Sequence, residues 1–384
     1  MAKKWLTLLL TLSLIFSLGA LAKAEEEEVE FDLDEYLNIT PQPEETPAPA
    51  SSEEVVYETD GTVLVTMTFT GDFTIGRNMN HSGKSIFETE LAKQGGDKSF
   101  MFRSVRDILL SDDWTVINFE GTLTTQGVAS NKKGNDFAFR AEPEYADILL
   151  PNGVEGVTLE NNHVLDMGEE GLAETRDNLL SAGVKVAQEG SPSIFTVKGI
   201  TFGNLAYQTF GGRHDEIIAK LPEDIAALRE AGCEIIIVSY HWGAELDYEP
   251  NSNQVRLGRA TIDAGADLVI GHHSHRINPI EYYNGGYICY SLGNFSFCGN
   301  NKPSDMSSYL FQIRFRRGLD GEVKTDGIKL IPGRISSRTD YNDFAFTPYT
   351  KTENIEAVLK LLKNYGKKLT YALETYPLKW ADEE

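Results

Sequence analysis

Five of the seven histidines in this 384-residue chain fall in three short segments. His163 closes Glu160-Asn161-Asn162-His163, His241 lies in Tyr240-His241-Trp242-Gly243, and three imidazoles share Gly271-His272-His273-Ser274-His275. Two carboxylate segments precede them, Thr70-Gly71-Asp72 and Asn118-Phe119-Glu120-Gly121. Imidazole, carboxylate and amide groups together suit Mn, Fe, Zn or Mg rather than copper or an iron–sulfur cluster. In two-metal hydrolases the ions lie about 3.5–4 Å apart, commonly with a bridging carboxylate, and five donor segments suffice for two such ions. Each segment also has an ordinary reading. Asp72 alone would cap a helix or a turn, Glu120 would be a solvated loop carboxylate, Asn161 and Asn162 a turn, and His241 a hydrogen-bonded interior ring. His273 and His275 resist that reading most, because paired imidazoles on an extended segment commonly hold metal; the joint occurrence of all five segments favours a metal site.

Such distant residues meet only if the elements before them deliver them to one place. Each segment follows a run that reads as a strand, and in open α/β sheets ligands collect outside the carboxyl ends of strands. Val63–Thr70, Thr115–Phe119 and Glu234–Tyr240 are the strand-like runs, rich in β-branched residues. Helical patterns are expected at Phe102–Leu110, at Glu170–Ala182 with Gly183 as its stop, and from Pro222 to Gly232. Later runs, Tyr287–Ser291, Tyr309–Arg316 and Gly327–Ile331, read as antiparallel strands. Two sheets packed face to face with helices outside accommodate both halves. One α/β domain is expected over 61–350 and a helical extension over 351–384, its helix running from Thr352 to about Leu373; no internal repeat is visible.

The ends and the charge narrow the setting. Lys3 and Lys4 precede an apolar run that closes on Ala22-Lys23-Ala24, which reads as an export signal over 1–24 or, uncleaved, as a membrane anchor. Residues 25–60 hold 14 acidic residues, no Lys or Arg, and four clustered prolines, the composition of a disordered acidic linker. The net charge is −23, of which −12 belongs to 61–384, so nucleic acid is excluded as a partner gripped by surface charge. An anionic substrate needs a local positive centre. Three cysteines make no disulfide framework; Cys289 and Cys298 are a candidate pair, with three buried thiols as the alternative.

Six ordered motifs resemble the CapA family of poly-γ-glutamate capsule biosynthesis proteins: Phe69-Thr70-Gly71-Asp72, Asn118-Phe119-Glu120, Asn161-Asn162-His163 with Asp166-Met167-Gly168, His241-Trp242-Gly243 with Glu245, Gly271-His272-His273-Ser274-His275, and Tyr290-Ser291-Leu292-Gly293-Asn294-Phe295. The resemblance covers about Val63 to Phe297. It implies a four-layer α/β/β/α sandwich of the metallophosphoesterase type and two divalent ions. Carried over by motif, Asp72 and His275 would bind the first ion, Glu120 would bridge, and Asn162, His241 and His273 would bind the second. His163 would be the general acid, oriented by Asp166. Arg77, Asn161, His272 and Arg276 are the candidate substrate contacts. Two departures stand out: Thr74 occupies the place of a usual histidine, and the histidine triplet, commonly followed by a proline, is here interrupted by Ser274 and followed by Arg276. The expected activity is hydrolysis of a phosphoester or related bond in an anionic envelope polymer or phosphorylated precursor. The alternatives are a non-catalytic accessory of polymer synthesis, export or anchoring, working with membrane components of a polymer synthase, and a structural envelope protein.

Overall fold

The computed structural model describes residues 55–128 and 137–383. The expected signal over 1–24 and the acidic linker through residue 54 lie outside the described residues. The chain begins with β1 (Val63–Thr74), β2 (Arg77–Asn78), α1 (Ile86–Lys93), α2 (Arg106–Leu109), β3 (Trp114–Phe119), β4 (Thr122–Leu123), β5 (Phe139–Ala141) and β6 (Gly156–Thr158). It continues through α3 (Gly168–Ser181), β7 (Lys185–Ala187), β8 (Ser193–Val197), β9 (Ile200–Gln208), α4 (His214–Glu230), β10 (Ile235–His241), α5 (Ser252–Asp263) and β11 (Leu268–His272). The last elements are β12 (Ile280–Tyr283), β13 (Gly286–Cys289), β14 (Asn294–Phe297), β15 (Ser307–Arg317), β16 (Val323–Arg334), β17 (Thr347–Pro348) and α6 (Thr352–Tyr365).

One sheet has the order β17-β16-β15-β1-β3-β6-β7 with β14 also paired to β1; the other has the order β12-β13-β11-β10-β9-β8. The alternation along each strand explains why they stack. Val63, Val65, Met67 and Phe69 of β1 share one buried cluster with Ile235 and Ile237 of β10 and Leu268 and Ile270 of β11. The opposite faces bury against helices: Ile117 and Phe119 of β3 with Phe87 of α1 and Leu179 of α3, and Ile236 and Val238 of β10 with Ile217, Leu221 and Leu257 of α4 and α5. The layer order is α/β/β/α, as expected. Each large apolar side chain sealed in these layers contributes about 1.5–3 kcal/mol.

That alternation also aims the polar residues. In β3, Val116 faces the gap between sheets and Ile117 faces out, so Asn118 returns to the gap; by the same count His241 follows Ile235 and Ile237, and His272 follows Leu268 and Ile270. In β1 the count would turn Asp72 outward. A register irregularity between Phe69 and Asp72 resets it, sending Phe73 to the outer cluster and Asp72 into the gap, since one residue of slip exchanges the faces.

Four expectations are corrected. Pro222 does not open a helix: α4 begins at His214 and passes through it, because the apolar series Ile217, Leu221, Ile225 and Leu228 stays buried on the sheet and outweighs one lost backbone hydrogen bond. Phe102–Leu110 is not one helix but a 3-10 turn, Phe100–Phe102, and the single turn α2. β13 pairs parallel with β11 and antiparallel with β12, so it extends the parallel series. α6 ends at Tyr365, short of Leu373, and packs on the main body through Val358 and Leu362. Cys233, Cys289 and Cys298 are free and buried. Among the described residues no helix is long and apolar enough to cross a membrane.

Candidate metal centre

At the carboxyl edge of the inter-sheet gap the five donor segments converge. Asp72 is fully buried and accepts a hydrogen bond from Asn118 Nδ2 at 2.9 Å. His275 Nδ1 lies 3.1 Å from Asp72 Oδ2 and 2.8 Å from Asn294 Oδ1. Glu120 stands opposite, with His275 Nε2 at 3.9 Å and His163 Nε2 at 3.7 Å from its Oε1. Both Glu120 carboxylate oxygens are buried without a hydrogen-bond donor. One donor atom each from Asp72, Glu120 and His275 fall within 4.8 Å of one another, a grouping able to hold a divalent ion. Beside it, His241 Nε2 lies 2.8 Å from Asn162 Oδ1 and 3.0 Å from His273 Nδ1.

These spacings test the fit of a cation. Donors at about 2.1 Å from one ion and at right angles to each other sit about 3 Å apart, which is the separation seen within Asp72–His275 and within Asn162–His241–His273. A buried carboxylate without donors costs several kcal/mol unless something positive stands beside it. The residues fit divalent metal.

The backbone is bent to this purpose. His273 and His275 have φ of +93° and +53°, a region that non-glycine residues rarely enter and that strain at binding sites often explains. Gly271 lets this turn approach its neighbours: a Cβ there would lie 2.2 Å from Tyr290 O and 2.4 Å from Trp242 Nε1. Trp242 donates through that nitrogen to Tyr290 O at 2.9 Å and stacks between Tyr240 and Tyr290, backing His241 with rigid aromatic packing.

Electrostatics divides the ionisable groups. Burial pushes Asp72 up, but the His272 and His275 rings outweigh it and hold its carboxyl well below the usual range. Burial and the neighbouring Asp72 charge push Glu120 well above it. Burial lowers His241 well below the ordinary imidazole range, and lowers His273 to about 4 with the His275 charge adding to it. His275 is raised to about 9: burial opposes its charge, and Glu120 and Asp72 more than compensate. The rings of His241 and His273 are therefore neutral, the form that binds metal.

His163 is oriented as its sequence neighbour allows. Asp166 Oδ2 accepts from Phe139 N–H at 2.7 Å and sits 2.7 Å from His163 Nδ1, turning the other ring nitrogen toward Glu120. His163, His275, Arg276, Glu245 and Phe139 line a cavity of about 220 Å³. Arg276 is buried, donating to His275 O and to Ser304 Oγ, each at 2.9 Å.

Three of the expected substrate contacts do not line this cavity. The Asn161 amide donates to Phe119 O at 2.8 Å and its Oδ1 accepts from His163 N at 3.0 Å; it shapes the loop that presents Asn162 and His163 and does not line the cavity. His272 is buried 3.4 Å from Asp72 Oδ1, behind the donors. Arg77 lines a neighbouring cavity. Two contributors escaped the sequence reading as individuals. Asn118 ties Asp72 to Asn161 and lies 3.3 Å from His241 Nδ1, and Asn294 holds His275. Asn118 had a usable signal, standing two residues before Glu120 at a strand end.

The family described as bacterial capsule synthesis protein PGA_cap matches residues 66–298 of the chain, which hold every donor named above. The chain belongs to this PGA_cap family. The PGA biosynthesis protein CapA of Bacillus subtilis is 32% identical over 254 residues, 61% of this chain and 63% of that protein. The capsule biosynthesis protein CapA of Bacillus anthracis is 26% identical over 274 residues, 65% of this chain and 64% of that one. A probable polyglutamine synthesis accessory protein of Mycobacterium tuberculosis is 29% identical over 211 residues, 47% of this chain and 55% of that one. The chain thus matches less than two thirds of the length of each of these PGA_cap relatives.

Proposed function

We propose that this PGA_cap protein is an exported, metal-dependent hydrolase that cleaves a phosphoester or related bond in an anionic envelope polymer or its phosphorylated precursor during capsule or poly-γ-glutamate synthesis. The observation that carries this reading is Glu120: a buried carboxylate with no hydrogen-bond donor, grouped with Asp72 and His275 and beside an imidazole oriented by Asp166. Asp72, Glu120 and His275 would hold one divalent ion, and Asn162, His241 and His273 a second, with Glu120 shared. Such ions, when bound, polarise a phosphoryl group and acidify water so that it attacks near neutral pH. His163 keeps its Nδ1 side on Asp166 and offers the Nε2 proton to the departing oxygen, a role worth about 10²–10⁴ in rate. Asn118 and Asn294 hold Asp72 and His275 in place.

A second reading, an accessory whose ions grip carboxylates without hydrolysis, draws on the name of the mycobacterial relative and on Thr74, which removes one expected imidazole. In either reading membrane components of a polymer synthase are the expected partners. Elemental analysis of the purified chain, with a generic phosphodiesterase assay in Mn, Zn and Mg, decides between them. Two ions with turnover support the hydrolase, and two ions without turnover favour the accessory. A chain that holds no divalent ion under any of these conditions would sink both.

A further inference from the structure

The cavity beside His163 shares Phe137, Gly299 and Asn300 with a second cavity of about 300 Å³. The charged or titratable groups on the second wall are Arg77, Lys84, His81 and the buried Cys298 thiol, and no carboxylate is among its described lining residues. On a chain of net charge −23 a patch of one positive sign runs against the field of the whole protein. Across both cavities the described lining holds one carboxylate, that of Glu245.

Two guanidiniums in these walls are underused. Arg276 is 6% exposed, makes two hydrogen bonds to neutral oxygens, lies over the Tyr248 ring at 5.6 Å, and has no ion-pair partner among the described residues. A guanidinium does not give up its proton in proteins, and a buried charge without a counter-ion is costly. Arg77 keeps a buried Nε–H with no acceptor, and its carboxylate neighbour, Glu88, is 3.9 Å from Nη1 and more than half exposed, a weak pair.

We propose that the two cavities form one groove that recognises a substrate with a second anionic group beside the reacting bond: Arg276 takes the anion next to His163, and Arg77 with Lys84 takes the other. This rests on the hydrolase reading and adds a specificity site to it. Planar guanidiniums bind carboxylate and phosphate in the same bidentate way, so the chemistry is that of a bis-anion, with Phe137 as an apolar wall at the junction.

Calorimetric titration of the full metal-loaded chain tests it, with three probes: inorganic phosphate as a single anion, glycerol 1,3-bisphosphate, and the dipeptide γ-glutamyl-glutamate. At least one of the latter two is expected to bind about tenfold or more tighter than phosphate, since one charged hydrogen-bonded contact is worth about that factor or more. Which one binds tighter tells a phosphate from a carboxylate source. Arg276→Gln and Lys84→Gln should each bring that ratio down toward one while metal content stays at the wild-type value. Lys84 is exposed, so its substitution reads the groove without disturbing the fold. Equal binding of all three probes, or a ratio unmoved by both substitutions, overturns the inference. If the chain retains no ions, the hydrolase reading fails by itself, and the same ratio measured on the ion-free chain still decides the groove.

Discussion

At the scale of single residues, His163 and Asp166 separate chemistry from mere binding of ions. His163→Ala is expected to lower phosphodiesterase turnover about 10²–10⁴-fold with metal content unchanged by elemental analysis. Asp166→Asn should cost about 10–100-fold, the usual effect of losing an orienting partner; turnover equal to wild type in both variants would remove the general acid. Asp112, at the far end of the strands, behaves differently. Its Oδ1 is buried without a donor, and burial pushes its carboxyl up to about 7. Its folded pKa exceeds its unfolded value, so its contribution to stability is complete below about pH 4 and is lost as pH rises through 7. Asp112→Asn should therefore stabilise the chain at pH 8 by on the order of 2 kcal/mol and change little at pH 4, which urea unfolding at the two pH values would measure. The donor types were readable in the sequence because Asp, Asn and His recur at strand ends. Asp112, Asn118 and Asn294 were not singled out, because what matters about them is burial and partners that lie far along the chain.

At the scale of elements, the precision of the site comes from close backbone approach. Gly271→Ala would force a Cβ against the Tyr290 carbonyl and the Trp242 indole, neither of which can move within the stacked aromatics. The expected loss is about 3 kcal/mol or more, together with weaker metal retention, because the bent His273–His275 turn follows directly. A variant that unfolds at the wild-type denaturant concentration would show that the turn has room to relax. The strands before the donors were legible from their β-branched runs, and the outward helices from apolar spacing. What the pattern hid was local. The irregularity that turns Asp72 inward has no compositional mark, and Pro222 looked like a helix start because its cost is offset only by packing that lies elsewhere in the chain.

At the scale of the whole molecule, Asp72 and Glu120 come from one sheet while His241 and His273 come from the other. An ion that binds the folded state alone at a hundred times its Kd adds about 2.7 kcal/mol, so removing metal with a chelator should lower Tm by on the order of 5 °C. A melting curve indifferent to chelator and to added Mn or Zn would contradict a site shared between the sheets. The stacking of two sheets with helices outside was expected from the alternation of elements. Which strand neighbours which was not, since β1 sits between β15 and β3, a pairing across more than 200 residues that no local pattern encodes. The same long span sets a timetable. The donors stretch from position 72 to position 275, so a growing polypeptide has no complete cage until synthesis has passed His275 and both halves have closed on each other. A metal that needs the complete cage would consequently be captured late, from whatever ions surround the chain at that moment.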